Sequence, residues 1–189
     1  MPGAVDYAQT PPLGGDHNAI WQSCQGDVYT EQIASEHAVH SLEHGAVWIT
    51  HRPDLPTDQV EALAERVRGT DYMLMSPFPG LESPIALSAW GRSLAVDDAA
   101  DPRVDQFVRA YRVSASREPG ATCSSPMRVQ GIDGPLTQEQ LAQVLGEGVD
   151  PAPADQSQDP AEQPAPGEPV EQPAEQPAPE QPAAPPAGQ

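Results

Sequence analysis

The segment 35–51, SEHAVHSLEHGAVWITH, concentrates the residues of this chain that could do chemistry. If it is helical up to Gly45, then His37, His40 and His44 fall at i, i+3 and i+7. That spacing makes one stripe, with neighbouring Cβ atoms about 5–6 Å apart. Glu43 lies at the edge of the stripe. Imidazole is the commonest metal ligand and titrates nearest neutrality, so three of the chain's five histidines on one helix face point to a site. His40 and His44, one turn apart, can close on a single ion as they do in zinc-binding H-E-x-x-H helices. Here the order is H-x-x-E-H. Glu43 therefore suits a ligand or an orienting partner better than a general base.

Further ligands must come from outside this helix. His17 is the first candidate, because the GGDHN stretch places it just after Gly14 and Gly15, whose freedom lets a loop fold over a site. Met75 is the second. A thioether is soft, and together with imidazole it selects copper over zinc or magnesium. Met73 and Met75 share one face of a strand with Leu74 opposite, so either could be aimed at the histidines. The expected metal ligands are thus His17, His40, His44, Glu43 and Met75. Copper is the expected ion, or zinc should Met75 belong to the core.

Two other classes compete with a metal protein. A Glu-His pair could act as a general base with its orienting partner in a hydrolase. No catalytic residue is assigned on that basis: Ser41 and Ser88 lack the strained elbow of a nucleophile, and the chain has no G-x-S-x-G, P-loop or dinucleotide fingerprint. Alternatively, the histidines are structural, forming a buried polar network in a non-catalytic accessory or scaffold domain.

The elements that must position these groups can be read in order. Ser35 as N-cap and Gly45 beyond the C-terminus frame the first helix. Val47 to Thr50 is β-branched and aromatic, hence a strand. A second helix is expected from Thr57 as cap to Gly69, with Val60, Leu63, Ala64 and Val67 on one face. Tyr72 to Ser76 reads as a strand ending in a Pro77–Gly80 turn. Ile85 to Val96 reads as another strand, bulged or turned at Gly91. Asp101-Pro102 opens a third helix in N-cap/N1 fashion, and residues 136–145 fit one short, weakly anchored helix. This order predicts an α+β domain, a small sheet packed against about three helices.

All tryptophans, tyrosines and phenylalanines lie between Tyr7 and Tyr111. The expected organisation is a flexible lead-in at 1–13, a globular domain at 14–128 and a weakly structured segment at 129–150. Residues 151–189, with their EQPA-like repeats, are expected to be a disordered, Pro-rich acidic tail. With 28 acidic against 9 basic residues and a formal charge of −19, nucleic-acid binding is disfavoured, because that needs a basic footprint. Cys24 and Cys123 lie in turn-rich contexts at either end of the domain. A disulfide between them, suited to an oxidising compartment, is favoured over two unrelated buried thiols, since such loops are poor places to bury a thiol.

The segments HNAIWQSCQGDVY, HSLEHGAVWITHRPDLP, MSPFPGL and SAWGR occur in this order. Together they resemble the bacterial "domain of unknown function 3105" family over roughly residues 14–128. The family's typical motif maps onto His17, Cys24, Tyr29, His40, Glu43, His44, Gly45, Met75 and Trp90, leaving His37 and His51 outside it. The resemblance implies an extracytoplasmic, membrane-anchored protein and a possible envelope partner, and it implies no reaction. The sequence itself shows no apolar run long enough to span a bilayer and no signal-like N-terminus. A start placed downstream of an anchor would look the same.

Overall fold

The segment Val47–His51 (β2) is buried at every position, as a β-branched and aromatic run without polar alternation demands of a strand covered on both faces. It is the centre of a five-stranded sheet in a computed structural model that describes residues 4–132 and 134–146. Around it the chain places β1 (Gln25–Val28), α1 (Ser35–Glu43), α2 (Thr57–Val67) and β3 (Met73–Pro77). There follow β4 (Ile85–Ala89), β5 (Arg92–Val96), α3 (Pro102–Tyr111) and α4 (Gln138–Leu145). The strand order is β1-β3-β2-β4-β5. β3 runs parallel to both β1 and β2, while β4 is antiparallel to β2 and to β5. The expected α+β class is the observed one. The tail expected at 151–189 lies outside the described residues. Among the described residues, no helix is long and apolar enough to cross a membrane.

Strand alternation sorts the core into two layers. Val47, Ile49, Met73, Met75, Ile85 and Leu87 face Leu63, Ala64 and Val67 of α2 and Val104 and Phe107 of α3. Trp48, Leu74 and Ala86 face the opposite way and pack with Ala38 and Leu42 of α1. Trp48 and Ser76 share that second face, since the indole Nε1–H donates to Ser76 Oγ at 3.0 Å. A third apolar cluster joins Met127, Leu136 and Leu141 of α4 to Ile20.

Several local expectations are corrected. β1 was missed: QGDV carries one apolar residue, and it pairs only as an edge strand along β3. The expected single strand at 85–96 is a hairpin, with Ala89 paired to Arg92 across a Trp90-Gly91 turn and Gly91 at φ 66°. Ser35 and Thr57 are the first residues of their helices rather than N-caps, which are Ala34 and Pro56. Asp101 does cap α3, its carboxylate accepting from the Arg103 amide.

Candidate metal centre

Residues 14–22 form a strap along the outer side of α1. The Asn18 amide donates to the Glu36 carbonyl at 3.1 Å, and the Gln22 amide to the His37 carbonyl at 3.0 Å. The Ser41 hydroxyl fixes the strap from the helix side by donating to the Gln22 carbonyl at 2.7 Å, so Ser41 has no nucleophile geometry. With its amides directed at α1, the strap turns backbone carbonyls toward the imidazoles. His17 Nδ1 donates to the Gly15 carbonyl at 3.0 Å and His40 Nδ1 to the Asn18 carbonyl at 2.7 Å.

A second loop closes the other side. Gly45, at φ 103°, would carry a Cβ only 3.0 Å from Val113 Cα and Ser116 Cβ, so a bare backbone is what lets residues 113–117 approach the end of α1. The Val113 amide donates to the Gly45 carbonyl and the Arg117 amide to the Glu43 carbonyl, each at 2.8 Å. This docking brings Glu118 beside His44 and presents the Thr122 carbonyl, to which His44 Nδ1 donates at 2.8 Å.

A carbonyl oxygen can only accept, so Nδ1 carries the hydrogen in all three rings. In the neutral imidazole, Nε2 is then the lone-pair nitrogen. His40 is held in that neutral form: burial, then the neighbouring His17, His44 and His37, push it down to about 3 against the opposing pull of the Asn18 hydrogen bond. Its ring centroid lies 4.6 Å from His17 on one side and 4.6 Å from His44 on the other. His17 Nε2 is 3.0 Å from Glu43 Oε2, and His44 Nε2 is 3.4 Å from Glu118 Oε2. Two sets of donor atoms result, His17–His40–Glu43 and His40–His44–Glu118, each with every separation within 4.8 Å. His40 belongs to both. Trp21 walls the cluster, 4.6 Å from His44 and 5.5 Å from His40 between centroids.

Of the residues expected at the site, His17, His40, His44 and Glu43 come together and Met75 does not. Met75 is fully buried in the layer facing α2 and α3, on the side of the sheet away from α1. Its partner across the ladder, Ile49, lies in the same layer. Met75 therefore brings no thioether to the histidines. His37 also leaves the stripe: its Nδ1 donates to the Ile20 carbonyl at 2.5 Å, its Nε2 is buried without a partner, and burial keeps it neutral. Glu118 was missed, since nothing in SREPGAT connects it by period or motif to a helix some seventy positions earlier. Trp90 stands edge-on to His17 with centroids 6.2 Å apart. It lines a groove of about 400 Å³ with Tyr7, Pro12, Leu13 and Gly14.

Cys24 and Cys123 are joined by a disulfide, as favoured from the sequence. No described cysteine is free.

A family model described as "Protein of unknown function (DUF3105)" matches residues 1–125. No curated protein and no solved structure matches the chain. The chain belongs to the DUF3105 family.

Proposed function

We propose that this member of the DUF3105 family binds one divalent transition-metal ion through His17, His40 and His44, with Glu43 and Glu118 as the carboxylate ligands that complete or neutralise the site. The observation that carries this reading is the shared orientation of the rings. Each donates Nδ1–H to a backbone carbonyl, of Gly15, Asn18 and Thr122, which leaves Nε2 as the nitrogen for an ion, and His40 links the two donor sets, His17–His40–Glu43 and His40–His44–Glu118. Metal-binding histidines are oriented in this way, the hydrogen bond on one nitrogen fixing the tautomer and raising the basicity of the other.

The donor set favours a borderline divalent ion over soft copper(I). Nitrogen and carboxylate oxygen without sulfur suit zinc and copper(II), whereas the case for soft copper(I) rested on Met75. Ligand bonds of about 2.0–2.1 Å in a tetrahedron put neighbouring donors about 3.3–3.4 Å apart. The two closest imidazole–carboxylate pairs, at 3.0 and 3.4 Å, bracket that spacing. A disulfide between Cys24 and Cys123 supports an extracytoplasmic setting, where such bonds form and persist.

The test is metal analysis of the full chain purified without a histidine tag, followed by zinc and copper titration against a chromophoric chelator. One ion per chain, abolished by His40→Ala with the far-UV spectrum retained, is expected. Substoichiometric loading by both metals would overturn the reading. So would a His40→Ala chain that binds as well as the parent.

A further inference from the structure

Both walls of the histidine cluster converge on one covalent bond, and we propose that Cys24 and Cys123 are positioning residues of the metal site, which reaches its full affinity only once they are oxidised. The inference rests on the metal-binding reading above. The strap that supplies the Gly15 and Asn18 carbonyls to His17 and His40 runs through Trp21, Gln22 and Ser23 directly into Cys24. On the other wall, the Thr122 carbonyl that holds the His44 ring is the residue before Cys123, and Glu118 lies four residues further back. Hydrogen bonds continue the seam. The Cys24 amide donates to the Cys123 carbonyl at 3.1 Å, the Ser23 amide to the Met127 carbonyl at 2.8 Å, and the Ser125 hydroxyl to the Trp21 carbonyl at 2.7 Å.

No described helix or strand carries the 112–127 segment. Its register against α1 comes from this seam, from the loop docked at Gly45 and from the Tyr72 hydroxyl, which donates to the Ala121 carbonyl at 2.8 Å. Without the bond, the carbonyl that orients His44 and the carboxylate beside it lose their covalent tie to the strap. Cys24 is fully buried and Cys123 is 4 % exposed, so the bond is a step of maturation rather than a switch worked in the folded chain. The two thiols lose two protons and two electrons by exchange with a disulfide-bearing oxidant, which leaves as a dithiol. The zinc site reaches its full affinity after that exchange.

Zinc affinity is measured by chelator competition on the oxidised parent, on C24S/C123S, and on a variant with two glycines inserted between Thr122 and Cys123. The insertion keeps the staple and frees the Thr122 carbonyl. The near-UV spectrum reports folding of each protein. Losing an orienting partner of a metal-bound histidine weakens binding by about 10–100-fold, and a loss of that size is expected in both altered proteins. His44→Ala should then cost little more in the C24S/C123S background, because the ring has already lost its anchor. A folded C24S/C123S chain or a folded insertion variant that binds zinc like the parent overturns the proposal and leaves the metal-binding reading standing. If C24S/C123S does not fold, the insertion variant decides alone. A parent that binds no zinc overturns both.

Discussion

His17 Nε2 and Glu43 Oε2 face each other at 3.0 Å although the other nitrogen of that ring already donates its hydrogen to the Gly15 carbonyl. A neutral imidazole in that tautomer would point a lone pair at a carboxylate. A metal ion bound to both side chains would resolve that opposition, as would a proton shared between them. Glu43→Gln keeps the shape of the side chain and removes its charge. We expect zinc affinity to fall by at least about tenfold, as partner losses at metal sites do, with no change in the midpoint of urea unfolding for the metal-free chain. Chelator competition measures the first quantity. Equal affinity in parent and variant would remove Glu43 from the site.

Metal is not what holds this fold together. Two apolar layers flank the sheet, and the disulfide ties residues 99 apart. The imidazoles are fixed by carbonyls that persist without an ion. Exhaustive chelation should therefore leave the near-UV and far-UV spectra unchanged. Zinc at a hundredfold excess over its dissociation constant should add about 2.7 kcal/mol by mass action, seen as a higher unfolding temperature. Loss of cooperative unfolding on chelation would contradict a preformed site.

The depressed His40 sets a direction for acid stability. In the native chain it titrates at about 3, against 6.5 for an unperturbed imidazole. Between these values the unfolded chain holds a proton that the native state lacks, so stability rises with pH across that window. Its contribution is fully present above 6.5 and is lost as the pH falls toward 3. His37 is shifted in the same direction. Urea unfolding of metal-free parent and His40→Gln should show a stability difference that shifts in favour of the variant as the buffer is moved from about pH 7 to about pH 4. A difference independent of pH would mean that the ring is not held neutral.

How much could be read in advance follows physical lines. α1, β2, α2 and α3 were legible because each carries its own period and boundary, as Asp101-Pro102 does for α3. His40, His44 and Glu43 were legible as neighbours because helical spacing is local. β1 was not, because an edge strand contributes little buried apolar surface and its pairing to β3 is decided by the rest of the sheet. The face of Met75 was half legible. Strand alternation sets it opposite Leu74, but only the side taken by α1 decides which of the two meets the histidines. Glu118 and the carbonyls of Asn18 and Thr122 lie in loops, where no period links them to α1.

Met75 belongs to the core, and this separates packing from ligation. Met75→Ala should destabilise the chain by about 2–5 kcal/mol, the usual cost of truncating a buried methionine. Zinc affinity of the folded variant should remain at the parental value. Denaturant titration and chelator competition on one sample give both numbers. A variant of near-parental stability that has lost zinc would return Met75 to the ligand set.

Gly45 is where fold and site meet most tightly. At φ 103° an L-residue is strained, and its Cβ would press on Val113 Cα and Ser116 Cβ at 3.0 Å. Gly45→Ala should destabilise by more than about 1 kcal/mol, since the native conformation does not suit alanine. The pressed atoms belong to the loop that carries Glu118 to His44, so zinc affinity should fall as well. Gly69 supplies the control: its φ is 68°, and an added Cβ would meet nothing within 4 Å. Gly69→Ala should share the backbone strain but keep parental zinc binding. Affinity that falls equally in both variants would trace to general loosening of the fold. A loss confined to Gly45→Ala would place the docked loop among the determinants of the metal centre.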